Sequence, residues 1–183
     1  PYEWEVVRID VLNALGRTEE AHAFGWSCFE RTLNADHLRL CLEALPDFED
    51  VEAEDKAFRH ALIFDSFNSA LHFLITWPAP EHAAKLIIAR AEEIDGNYYE
   101  LLGPAADILE SRYPLAATLL RRGLIDFALK KARVKRYRHA ARHLMECQSL
   151  ATGIDDFSRF ENHEAYLARL QHEHGKKTSF WTE

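Results

Sequence analysis

Apolar residues recur three or four positions apart along almost the whole of this 183-residue sequence. An α-helix completes a turn in about 3.6 residues, so this spacing aligns the apolar side chains along one face of each helix. No segment shows the two-residue alternation of a half-buried strand. The pattern predicts an all-α protein with more than roughly two-thirds of its residues in helix. The stripes include Trp4, Val7, Val11, Leu12 and Leu15, then Ala116, Leu119, Leu120, Leu124 and Phe127, and then Tyr137, Ala140, Ala141 and Leu144.

Short connections separate the predicted helices, and residues such as Pro114 and Gly153 mark helix ends. Short connections make neighbouring helices antiparallel, and stacked antiparallel pairs form an α-solenoid. We therefore expect one helical-repeat domain over residues 1–183, closed by a capping helix and an aromatic tail in residues 154–183. The chain begins at Pro1, and Met145 is its single methionine. We expect it to be the C-terminal part of a longer protein.

The charge is unevenly distributed along the chain. The formal net charge is −8 at pH 7, yet residues 121–142 hold nine basic residues against one acid, Asp126, which gives +8 there and −16 elsewhere. We expect these basic side chains to lie mostly off the core faces. If they are not paired with nearby carboxylates, they form a site for an acidic partner or a phosphate-bearing ligand. The candidates are Arg121, Arg122, Lys130, Lys131, Arg133, Lys135, Arg136, Arg138 and Arg142.

Several function classes lack their sequence signatures. The chain has no phosphate-binding P-loop, no GxGxxG, no GxSxG and no HExxH motif, so we assign no catalytic residue and no cofactor and favour a non-enzyme. No run approaches the roughly 18–20 apolar residues that cross a bilayer. Cys28, Cys41 and Cys147 form no CxxC pair. We therefore expect buried, unreactive thiols and a cytoplasmic protein.

His139, His143 and Cys147 lie four residues apart on one predicted helix. This spacing places them near one face, and imidazole nitrogen and thiolate sulfur are good zinc ligands. Three ligands in a straight row cannot surround a metal ion, so a further group such as His163, His172 or His174 would have to come from the next helix. The simpler interpretation is that the two histidines lie beside the core and form hydrogen bonds.

Residues 16–30, GRTEEAHAFGWSCFE, resemble the loop and second helix of a tetratricopeptide-type repeat. Gly16 and Ala21 match small residues of that repeat, while Cys28 and Phe29 stand where the family has Ala and Leu. Gly25 departs from the pattern, near where a Tyr is typical. The resemblance covers about one repeat and implies paired helices with a protein-binding surface.

The C-terminal third contains YRHAARHLMEC and HEAYLARLQHEHGKKTSFW. It resembles the end of an uncharacterised bacterial family of helical proteins, which is similar to the helical regions that accompany SWIM-type zinc fingers. The resemblance implies a helical fold and a bacterial origin but no activity. The CxC element of a SWIM-type zinc finger is absent from this sequence.

Protein interaction or scaffolding is the function that these features favour, with another protein as the partner and no membrane association. The alternative is binding of nucleic acid or another anionic ligand through residues 121–142. The acidity of the rest of the chain counts against a long polyanion. A metal-binding protein or enzyme that uses the His/Cys row is the second alternative.

Overall fold

A computed structural model describes residues 2–46 and 48–183. Helices account for 75% of the described residues, including the short 3₁₀ helices Ala91–Glu93 and Val134–Arg136, and the described part of the chain contains no strand. The all-α prediction is confirmed. The helices are α1 (Tyr2–Ala14), α2 (Thr18–Thr32), α3 (Ala35–Glu43), α4 (Glu49–Leu62), α5 (Phe67–Thr76), α6 (Pro80–Ala89), α7 (Tyr99–Leu109), α8 (Pro114–Lys130), α9 (Tyr137–Ala151), α10 (His163–His174) and α11 (Thr178–Trp181).

Local side-chain chemistry sets where several helices begin. Asn34, Ser66 and Asn162 each accept a hydrogen bond from a backbone N–H in the first turn of α3, α5 and α10. Such caps satisfy amides that have no partner within the helix. Pro114 opens α8, where its missing N–H costs nothing. Pro104 lies inside α7 without ending it.

The chain divides into two compact units, residues 1–82 and 83–183. The core of the first unit includes Phe29 and Phe73, whose rings meet edge to face at 5.3 Å. The core of the second unit includes Leu129, Tyr166 and Phe180. Each unit thus has an apolar core of its own. This division does not test the expected single domain, which stays a prediction.

Helix α1 departs from the prediction that its apolar stripe is buried. Trp4 is 73% exposed and Leu15 is 65% exposed, while Ile9 is the one buried residue of α1. Ile9 is the side chain of α1 that packs at Gly25 of α2, where an added Cβ atom would lie 3.4 Å from Ile9 Cδ1. That contact turns the face carrying Trp4 and Leu15 towards solvent.

In the second unit, two glycines let the segment before α7 pass directly over α8. A Cβ atom at Gly96 would lie 2.3 Å from the carbonyl oxygen of Gly123, and one at Gly123 would lie 2.5 Å from Ile94 Cγ2. A larger side chain at Gly96 would require the backbone at Gly123 to shift, and one at Gly123 would require the Ile94 side chain to move. This approach sets the position of α7 beside α8.

The aromatic tail docks on the second unit. Phe180 is 2% exposed, and its ring meets that of Tyr137 edge to face at 6.0 Å. The indole Nε1 of Trp181 donates a hydrogen bond to the carbonyl oxygen of His174 at 3.0 Å. The tail therefore joins α9 and α10.

The three cysteines are buried and free, which confirms the predicted burial. Burial raises the pKa of Cys41 to about 11 and that of Cys147 to about 12. Because the thiolate is the reactive form, we expect the native protein to react with a thiol reagent at least about a hundredfold more slowly than the urea-unfolded chain. Absorbance of the released chromophore measures both rates. Rapid modification of all three thiols in the native state would contradict this prediction.

Candidate functional site

Arg121 is the most buried basic side chain of α8, with 2% of its surface exposed. Its guanidinium forms ion pairs with Asp107 at 3.1 Å, Glu110 at 2.5 Å and Glu146 at 2.9 Å. Asp107 belongs to α7, Glu110 follows it directly, and Glu146 belongs to α9. One side chain thus joins three segments through charge-assisted hydrogen bonds. The carboxylates favour the charged form and raise the pKa of Arg121 against the opposing effect of burial.

Arg122 is also buried, with 6% exposure. Its Nη1 donates to the carbonyl oxygen of Glu161 at 2.7 Å, and its guanidinium carbon lies 4.3 Å from the ring centroid of Tyr166. Burial lowers its pKa. The expectation that Arg121 and Arg122 lie off the core faces is therefore wrong. Helix α8 is surrounded by other segments, so its buried residues cover more than one stripe.

The other basic residues of segment 121–142 remain near the surface. Arg136 is half-buried, with its guanidinium carbon 4.2 Å from the ring centroid of Tyr99. Arg142 lies 3.5 Å from Glu146, and this is the one ion pair formed by the surface members of the set within the described residues. The members that are exposed and have no carboxylate within ion-pair distance there are Lys130, Lys131, Arg133, Lys135 and Arg138.

Part of this set lines a cleft of about 430 Å³ in the second unit. We call it the basic cleft. Helix α7 contributes its small residues Gly103 and Pro104, which leave space on that side. The ionisable and aromatic side chains that line it are Tyr99, Asp107, Lys135, Arg136, His139, Arg142 and His143.

The charge of the basic cleft follows from Arg121. Asp107 is the one acidic residue that lines the cleft, and Arg121 already binds its carboxylate. Glu146, the partner of Arg142, also pairs with Arg121. Lys135 and Arg136 therefore face the cleft without a lining carboxylate of their own to neutralise them. A guanidinium offers paired donors for carboxylate or phosphate oxygens, so this arrangement suits an anionic group.

A second cavity of about 700 Å³ is lined by Arg122, Asp126, Arg159 and Arg169, among others. Several of its charges are paired with one another. Arg169 lies 3.4 Å from Asp126 and 3.0 Å from Glu161, and Arg159 lies 3.4 Å from Glu92. This cavity is larger than the basic cleft but has less unbalanced positive charge.

The predicted His/Cys row does not come together as a ligand group. His139 is exposed, His143 Nδ1 lies 2.9 Å from Glu146 Oε2, and the Cys147 sulfur lies 3.9 Å from the carbonyl oxygen of Thr118. Within the described residues, the one group whose possible ligand atoms lie within 4.8 Å of one another is Glu5, Cys28 and His37. No sequence motif indicates this group, because its members lie on three different helices.

These features define an all-α protein with a basic cleft beside a buried arginine. The chain belongs to a family of unknown function, DUF6880, whose model matches residues 1–183. No curated protein and no solved structure matches the chain. Neither the tetratricopeptide resemblance nor the link to SWIM-type zinc fingers gains support from these comparisons. In the part of the chain that the structure describes, no helix is long and apolar enough to cross a bilayer.

Replacing Arg121 with Met keeps an unbranched side chain in the core but leaves Asp107, Glu110 and Glu146 close together without their shared cation. We expect R121M to lower the free energy of unfolding by about 2–3 kcal/mol. The loss is smaller than for a fully buried ion pair, because the carboxylates are only partly buried. The exposed Arg138→Met is the control and should change it by less than about 0.5 kcal/mol. Urea unfolding measures both. Equal stabilities of R121M and R138M would contradict this role of Arg121.

Burial lowers the pKa of His143 in the folded state, against the opposing effect of Glu146. The unfolded chain then binds a proton more readily, so stability is full above the unfolded pKa of about 6.5 and is lost as the pH falls through it. We expect H143Q to lose less stability than the parent between about pH 7.5 and 5.5. The exposed His139→Gln is the control. Urea midpoints that fall equally in all three proteins would contradict this assignment.

Proposed function

We propose that this chain is a protein-interaction module whose basic cleft binds an acidic segment of a partner protein. The observation that supports this proposal most directly is that Lys135, Arg136 and Arg142 line one cleft. Its single acidic lining residue, Asp107, is already bound by Arg121. Arg136 stacked on Tyr99 adds a planar cation whose position is held by the ring. The basic residues of segment 121–142 outside the cleft would attract the same partner at longer range.

A short acidic segment fits the charge distribution better than a long polyanion does. Exposed charges interact over a Debye length of about 8–10 Å at physiological salt, so a segment in the cleft senses mainly the local positive charge. A longer polyanion would extend over the rest of the chain, which carries −16. The acidic remainder of the chain would repel such a polyanion. The volume of about 430 Å³ accommodates a few side chains rather than a folded domain.

The scaffold in this proposal is an α-solenoid of antiparallel helix pairs. Its support is the helical content, the short connections and the side-by-side packing of α7, α8 and α9, which Arg121 joins. Solenoids present binding surfaces whose polar residues vary without disturbing the core.

Nucleic-acid binding is the second candidate function. The observation in its favour is that Lys130, Lys131, Arg133 and Arg138 are exposed and have no ion pair within the described residues. These residues flank the cleft and could contact successive phosphates. A competition experiment between an acidic peptide and a nucleic acid separates the two candidate functions.

Reversing two charges of the cleft tests the proposal. We expect the double variant R136E/R142E to bind a fluorescein-labelled oligoglutamate peptide at least about tenfold more weakly than the parent, because two favourable charges become repulsive. Fluorescence anisotropy at low salt measures the affinity. Circular dichroism should show unchanged helix content.

The control is K130E/K131E, which changes the net charge equally at exposed positions outside the cleft. It should weaken binding by less than about threefold. Equal losses in the two variants, or no binding of the peptide to the parent at low salt, would contradict the cleft as the binding site. Single-stranded DNA and unlabelled oligoglutamate are then compared as competitors at equal concentrations of negative charge. Displacement of the labelled peptide at a lower concentration of DNA than of oligoglutamate would favour nucleic-acid binding.

A further inference from the structure

Three potential metal ligands from consecutive helices converge in the first unit. Glu5 lies on α1, Cys28 on α2 and His37 on α3. A carboxylate oxygen, the thiol sulfur and an imidazole nitrogen all lie within 4.8 Å of one another. Cys28 is completely buried and His37 is 1% exposed.

The imidazole of His37 is an independent sign of a ligand at this position. Neither Nδ1 nor Nε2 has a hydrogen-bond partner, although both atoms are buried. Nε2 lies 3.2 Å from Glu5 Oε2, but the pair does not meet hydrogen-bond geometry. A buried polar group without a partner costs about 1–3 kcal/mol. Coordination of a metal ion by Nε2 would offset that cost.

The separation of the nitrogen and oxygen atoms matches what one zinc ion requires. Zn²⁺ binds nitrogen and oxygen at about 2.0–2.1 Å and sulfur at about 2.3 Å, so tetrahedral ligands lie about 3.3–3.6 Å apart. The 3.2 Å between His37 Nε2 and Glu5 Oε2 is close to this separation. Side-chain movements of about 1 Å bring the Cys28 sulfur to the same range, given the 4.8 Å limit.

We propose that Glu5, Cys28 and His37 form a binding site for Zn²⁺ with a water molecule in the fourth position. The combination of sulfur, nitrogen and oxygen donors selects zinc over magnesium and calcium, which prefer oxygen ligands. One thiolate and one carboxylate balance the double charge of the ion. The ion and its three ligands together therefore carry no net charge.

Binding exchanges a proton for the metal at Cys28. The thiol loses its proton to solvent as the sulfur–zinc bond forms, while His37 contributes the lone pair of its neutral ring. Because protons compete with the metal for the Cys28 sulfur, metal binding weakens as the pH falls.

Arg31 has a defined place in this site. Its Nη2 donates to Glu5 Oε1, which leaves Oε2 directed towards His37. The same nitrogen lies 3.9 Å from the Cys28 sulfur. The exposed Arg31 side chain can give up the sulfur contact when zinc binds and still orient the Glu5 carboxylate.

The site would anchor α1 to the first unit. Ile9 is the one buried residue of this helix, so its packing alone holds it weakly. A metal ion bound by Glu5, Cys28 and His37 would cross-link α1 to α2 and α3, and this link would not depend on apolar contacts. We expect zinc to reduce amide hydrogen exchange in α1 more than in α8.

Cobalt binding to the untagged, metal-free chain tests the site. One equivalent of Co²⁺ should produce thiolate-to-cobalt charge-transfer absorption in the near ultraviolet and tetrahedral bands in the visible, and added Zn²⁺ should abolish both. C28S should lack the charge-transfer band. The control C147S removes a buried thiol outside the group and should keep it.

The variant E5Q should fold like the parent, because Glu5 is partly exposed, so its metal affinity can be measured in the same way. It should bind zinc at least about tenfold more weakly than the parent. Absence of a charge-transfer band in the parent would overturn the proposal, as would a band lost in C147S but kept in C28S. Equal zinc affinity of E5Q and the parent would also overturn it. None of these results depends on the basic cleft, whose residues lie in the second unit.

Discussion

The buried guanidinium of Arg121 is the interaction on which the proposed site depends. It draws Asp107, Glu110 and Glu146 to one point and so holds α7 and α9 against α8. A buried cation needs such partners, since an unpaired charge in the core costs several kcal/mol. The same ion pairs engage Asp107, the one acidic residue that lines the basic cleft, and share Glu146 with Arg142. Arg121 therefore links the packing of the second unit to the charge of the basic cleft.

The sequence predicted the fold class because helical periodicity is a local signal. The stripes of α8 and α9 and the helix start at Pro114 follow from residue type and spacing. The face that α1 buries does not, because it depends on how α1 packs against another helix, α2. Nothing near Ile9 in sequence indicates that contact.

The candidate site was predicted in part for the same reason. The excess of basic residues in segment 121–142 is visible in the sequence, and most of them do lie near the surface. Assigning Arg121 and Arg122 to the core required knowing that α8 is enclosed by neighbours. The Glu5, Cys28 and His37 group required knowing that α1, α2 and α3 converge. Both facts arise from tertiary contacts between residues far apart along the chain.

The central claim is that the anionic partner binds at the basic cleft rather than across the whole basic segment. Two-dimensional ¹H–¹⁵N NMR spectra recorded while oligoglutamate is added locate the contact directly. The account predicts chemical-shift changes concentrated in residues 99–107 of α7 and 135–143 at the start of α9. Changes spread evenly over the basic residues, or concentrated at Lys176 and Lys177 of the tail, would contradict it.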